Sequence, residues 1–292
     1  MTLFLIGLIT LLNFFLRFFR LGQIPFFSNS FPVSILIESA IINVISSFLI
    51  FAIAKLLFKK NKISLLSFFV FSVLPWIVET GRNGVYLNIL LFWILILVLL
   101  LLVLKKIVYF RLFLNIFRPI LFMAGMLVIL FLLKKPDFIF SFNLNSYALY
   151  QVLSNTFHLA SFGFLFFSND SFWHGGNKDT GVLFLSFLPF LFIGVVDVFK
   201  KDISIMVMLL IIGTLLSVLN PYFPEVFEFY IVIPVFVLSV TRGLYGLRTF
   251  NKKIISLFIL LFIFEYTLFL HAYFIHYPQN TRSYFQNLEK PL

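Results

Sequence analysis

The segment SNDSFWHGGNKDTG (168–181) gathers Asp170, His174, Lys178 and Asp179 into one polar interruption of an otherwise apolar chain. A carboxylate can take a proton from a hydroxyl, and an imidazole or ammonium beside it can hold polar or anionic groups. Asp170 is therefore a candidate base, and His174, Lys178 and Asp179 are candidate binding groups. Asp170, His174 and Asp179 also form a hard donor set of the divalent-metal type. They lack two ligands at regular helical spacing, so neither a metal nor any other cofactor is assigned. The bland alternative is a solvated loop turning at Gly175-Gly176. Arg82 offers a planar fork for phosphate, with Glu79 close to it in sequence. Two acids, Glu38 and Glu265, stand inside apolar runs. Carboxylates in hydrocarbon are costly enough to be functional candidates by default. Glu38 falls near one end of its run and is a second candidate base. Glu265 reads as a structural partner for Asn13 or a lysine. His271 and His276, five apart, do not share an α-helical face and read as interfacial residues beside Tyr273 and Tyr277.

These groups need a scaffold, and composition names it. Hydrophobic residues make up 62% of the 292-residue chain and charged ones 11%. A soluble domain is nearer half apolar and a quarter charged, so this is an integral membrane protein and one membrane-embedded domain, 1–292. Without cysteine, thiol chemistry and disulfides drop out. The net charge of +11 does not point to nucleic acid, because the Lys and Arg residues cluster at the ends of apolar runs, as the positive-inside rule requires. A bilayer needs about 20 apolar residues per helix. That predicts an all-α bundle of about nine spans at 2–19, 33–58, 63–78, 85–104, 119–133, 182–199, 203–219, 227–240 and 254–275. Residues 106–118 are expected to form a surface helix, and the first span a retained helix rather than a cleaved signal. With the N-terminus inside, Lys55, Lys59, Lys60, Lys62, Lys105, Lys106, Lys200, Lys201, Arg242, Arg248, Lys252 and Lys253 fall on the cytoplasmic side, while Lys134 and Lys135 fall on the other side against the bias. Residues 20–32, 79–84, 136–181 and 220–225 then face outward. Pro75, Pro189 and Pro234 are expected to kink spans and open a cavity.

Several stretches in order resemble the GT-C superfamily of polytopic glycosyltransferases, in its aminoarabinose-transferase-like and protein-O-mannosyltransferase-like branch. LRFFRLGQIP resembles the exit from that branch's first helix, and PWIVETGR is similar to its Pro-Trp pair followed by (Ser/Thr)-x-Arg. FLFFSNDSFWHGGNKDTGVLFLSFLPFLFIGV, NPYFPEVFEFYIVIPVFVLSVTRGL and LHAYFIHYPQNTRSYFQ resemble later segments. The resemblance implies a GT-C-like bundle using a polyprenyl-phosphate-linked sugar on the outer face, with Arg82, Glu79, Arg20, His174, Lys178 and Asp179 binding substrate. Family members carry an acidic base in their first outer loop. Here 21–32 reads LGQIPFFSNSFP, with Ser28 and Asn29 and no carboxylate.

The expected function is thus transfer of a sugar from a polyprenyl-phosphate donor at the outer face of a bacterial cytoplasmic membrane, Glu38 or Asp170 acting as base. Expected partners are the lipid-linked sugar and membrane lipid, with no nucleic acid. A non-catalytic relative that binds polyprenyl phosphate or assists another membrane enzyme is the alternative. A lipid or solute transporter ranks last, because the polar residues concentrate at the outer ends of the spans.

Overall fold

A computed structural model of the chain describes residues 2–21, 33–83, 85–105, 146–167, 180–218, 227–247 and 250–278. The expected span 119–133, the surface helix 106–118 and residues 168–179 of the polar segment lie outside the described residues. Every described element is helical. In hydrocarbon the backbone must satisfy its own hydrogen bonds, and a helix does so within one segment.

Among the described residues four helices are long and apolar enough to cross a membrane, or five when one bent pair is taken as a single span. Helix α1 is Thr2–Phe18, α2 is Val33–Phe58 and α5 is Val85–Leu104, close to the apolar runs. Between them α3, Asn61–Val73, and α4, Pro75–Asn83, meet at 60°. The cause is local: Pro75 drives Leu74 out of the helical region, to ψ 133. The segment expected to be outer loop contains helix α6, Ser146–Leu159. Its Asn155 amide donates to the carbonyl of Val218 at 3.1 Å.

The lysine pair at 200–201 does not separate two helices. Helical backbone continues from Leu188 to Val218 as α7, since lysine is a good helix former. Yet α7 is not straight. Gly194 abuts Ser239 and Gly213 abuts Val232. A straight helix would put Gly194 and Gly213 roughly 28 Å apart, whereas Val232 and Ser239, seven residues apart in helical backbone, stand roughly 11 Å apart. The helix must bend between them, and Lys200 lies in that interval.

The partner is α8, Ile233–Gly246, which follows a 3₁₀ segment Phe227–Val232. The glycines set its distance from α7: a Cβ on Gly243 would strike the backbone of Phe190, and one on Gly194 the backbone of Ser239. Close backbone approach at small residues is the membrane mode of helix association. Neither Pro189 nor Pro234 kinks a span. Each occupies the first turn of its helix, where the missing N–H has no intrahelical partner to lose. Helix α9, Lys252–His271, continues into a π-helical turn, Ala272–His276. It docks through rings: Phe262 stacks on Phe187 at 5.4 Å and Phe190 meets Phe258 at 4.8 Å. Its remaining surface, including Leu260 and Phe264, is exposed apolar area that suits lipid.

Candidate functional site

The core of this bundle holds a connected polar cluster. Helix α2 supplies Ser39, Asn43 and Ser47, one turn apart on one face, and all are fully buried. Asn43 accepts from Arg17 Nε at 2.8 Å and donates to Asn88 Oδ1 at 2.8 Å. Asn88 in turn donates to Ser39 Oγ and to the carbonyl of Thr80, both at 2.6 Å. The hydroxyls of Thr80 and Tyr230 lie 2.5 Å apart, and Asn13 donates to Ser47 Oγ at 2.8 Å. Away from solvent, each pair satisfies groups that would otherwise cost several kcal/mol.

Two arginines lie within this interior, both with no exposed surface. The break at Pro75 leaves carbonyls in the last turn of α3 without helical donors, and Arg17 Nη1 donates to one of them, Ser72 O, at 2.8 Å. Arg82 answers from α4. Its Nη1 donates to the carbonyls of Leu16 and Arg17 at 2.9 and 3.1 Å, and its Nη2 to Phe19 O at 2.8 Å. These are the last carbonyls of α1, the negative end of its dipole. The rings of Phe274 and Tyr273 cover the guanidinium at 5.1 and 5.9 Å, within cation–π range. Arg82 is therefore a buried clamp between helices, its planar fork spent on main-chain carbonyls.

Arg17 retains a group with nothing to do. Its Nη2 is buried and has no hydrogen-bond partner among the described residues. Glu79 is the only carboxylate in the buried set of described residues, 1% exposed, and Thr180 Oγ1 donates to its Oε1 at 3.5 Å. Thus the far end of the polar segment 168–181 returns to the same end of the bundle as Glu79 and Arg82. Next to Thr180, Gly181 permits backbone contact with Phe166, where a Cβ would stand 2.5 Å from main-chain atoms. Leu183 then donates its N–H to Leu165 O at 2.8 Å.

The remaining expected residues divide clearly. Arg20 is exposed beyond α1 in a left-handed conformation, φ 52, with its guanidinium 5.5 Å from the Phe19 ring. Glu38 is exposed on α2, although its neighbour Ser39 faces the cluster. Asp170, His174, Lys178 and Asp179 lie outside the described residues. Among the described residues no three metal-ligating side chains come together. Among the described residues Glu265 pairs with neither Asn13 nor a lysine: it accepts the backbone N–H of Ser186 at 2.9 Å, supplying negative charge just ahead of α7. The histidines also depart from expectation. The π-helical turn closes the spacing of five and brings the two Nε2 atoms to 2.9 Å.

The opposite end of the bundle is basic. Lys60 and Arg242 lie over the Tyr245 ring at 5.2 and 5.7 Å, and Arg242 pairs with Asp197 at 2.7 Å. Sequence reasoning missed Arg17, Asn43, Asn88 and Tyr230. The available signal was the one-turn spacing of Ser39, Asn43 and Ser47 within an apolar run.

Comparison with protein families, curated proteins and solved structures finds no match.

Proposed function

We propose that this membrane protein binds a polyprenyl-phosphate-linked sugar at the end of the bundle marked by Glu79 and Arg82, and transfers the sugar there in the manner of a GT-C-like glycosyltransferase. The observation that carries the reading is Arg17 Nη2, a buried cationic donor with no hydrogen-bond partner among the described residues. A guanidinium in hydrocarbon is expensive unless it meets an anion, and a phosphate accepts the planar fork well. Glu79, the buried acid at this end, takes the role of base that no residue of 21–32 can fill. The end carrying Lys60 and Arg242 is then cytoplasmic by the positive-inside rule, and the Glu79 end faces outward.

The test uses purified protein in detergent with polyprenyl phosphate, neutral polyprenol and lipid-linked sugar donors. Saturable binding of polyprenyl phosphate over polyprenol, lost in Arg17→Gln, supports the phosphate site. Sugar release that Glu79→Gln abolishes supports transfer. Phosphate-selective binding without turnover on any donor makes the protein a non-catalytic lipid binder instead. Equal binding of phosphate and alcohol overturns the proposal. One observation favours transport as a second reading: the polar face of α2 descends from Ser39 to Ser47, roughly 12 Å into the bundle. Counterflow of a solute in proteoliposomes would reveal it.

A further inference from the structure

Away from the buried cluster, the π-helical turn at the end of α9 presents two exposed imidazoles to each other. On an α-helix residues five apart diverge, so only the extra residue of the turn Ala272–His276 aligns His271 with His276. Their Nε2 atoms stand 2.9 Å apart and their ring centroids 4.7 Å apart. A head-on hydrogen bond of that length would hold the centroids at about 5.2 Å. Two imidazoles meeting at a right angle on one ion, with bonds of about 2.0–2.1 Å, bring the nitrogens to about 2.9 Å and the centroids to about 4.5 Å. A tetrahedral ion would need the nitrogens about 3.3 Å apart. The observed pair falls nearer the right-angle case. A right-angle pair of imidazoles is the bite of a tetragonal ion such as Cu²⁺ or Ni²⁺.

We propose that His271 and His276 form a two-histidine site for a tetragonal divalent transition metal, with water or an anionic oxygen in the remaining positions. The site stands apart from the lipid-phosphate reading and does not depend on it. Between the two histidines, Tyr273 and Phe274 cover Arg82, so an ion bridging the ends of the turn braces that cover.

Calorimetric titration of the purified protein with Ni²⁺ and Cu²⁺, joined to electron paramagnetic resonance of the Cu²⁺ form, tests it. The chain has four histidines and no cysteine, which keeps competing sites few. One equivalent of ion with two equatorial nitrogens is expected, its affinity lowered at least about tenfold by His271→Ala or by His276→Ala. His158→Gln and His174→Gln should leave it unchanged. Both imidazoles are exposed, so these variants keep the fold, as circular dichroism will verify. Binding that follows His158 or His174 overturns the proposal, as does a single-nitrogen spectrum. A further variant, His276→Ala with Ile275→His, places the pair at α-helical spacing. If it binds while the native chain does not, the turn is α-helical in solution and the site does not exist.

Discussion

Arg17 and Arg82 are exchanged between helices: Arg17, from α1, seals the broken end of α3 at Ser72, while Arg82, from α4, seals the end of α1 and donates to the carbonyl of Arg17 itself. Arg82 completes the backbone of the helix that carries Arg17, and Arg17 completes the helix on the other side of the break from Arg82. The exchange ties α1 to the bent pair α3–α4.

Arg82→Met should therefore cost stability well beyond an ordinary substitution. Three charge-assisted hydrogen bonds are lost and buried carbonyls are left bare, each group contributing about 1–3 kcal/mol. Arg82→Lys should rescue only part, because one ammonium cannot match a planar fork against several carbonyls. Thermal unfolding in detergent measures both, and an unchanged melting temperature in Arg82→Met would remove the clamp.

Asn43 joins Arg17 to Asn88, and Gly81 leaves just enough room for it. A Cβ at Gly81 would come within 3.0 Å of Asn43 Cγ. Asn43→Leu should cost roughly 1–3 kcal/mol for each polar group it strands. Gly81→Ala should displace the Asn43 amide and lower stability without removing any polar atom. The double variant should cost less than the sum of the two. Additive losses would show that Gly81 does not act through Asn43.

The glycines of α7 and α8 separate into strict and tolerant positions. Gly194→Ala and Gly243→Ala place a methyl group against backbone and should force the helices apart, at about 1–3 kcal/mol or more. Gly7, inside α1, has open space around it. Gly7→Ala should be neutral or stabilising by about 0.4–1 kcal/mol. Comparing melting temperatures of the three variants decides whether close backbone contact sets the α7–α8 distance.

Because the native chain has no cysteine, single cysteines report sidedness directly. Lys59→Cys and Lys252→Cys should react with an impermeant thiol reagent from the cytoplasmic side, and Arg20→Cys from the other; all three positions are exposed. Labelling of all three from one side would contradict a crossing of the membrane by α2, which separates Arg20 from Lys59.

The apolar runs alone determined that this is a helical membrane protein, and they located α2 and α5 almost to the residue. Hydrocarbon as solvent rewards length and apolarity, both of which are local properties of the chain. Charge placement likewise marked the basic end that Lys60 and Arg242 share. Partnership among the buried polar groups was decided only by tertiary structure. Arg17 meets Asn43, Arg82 meets the end of α1, and Glu265 meets Ser186 because packing fixes how deep each helix sits and which way it is rotated. The approach of His271 to His276 needed one inserted residue in a helical turn, a change of backbone that side-chain periodicity does not record. The bend of α7 belongs with these: lysines permit both a loop and a helix, and contacts with α8 chose between them.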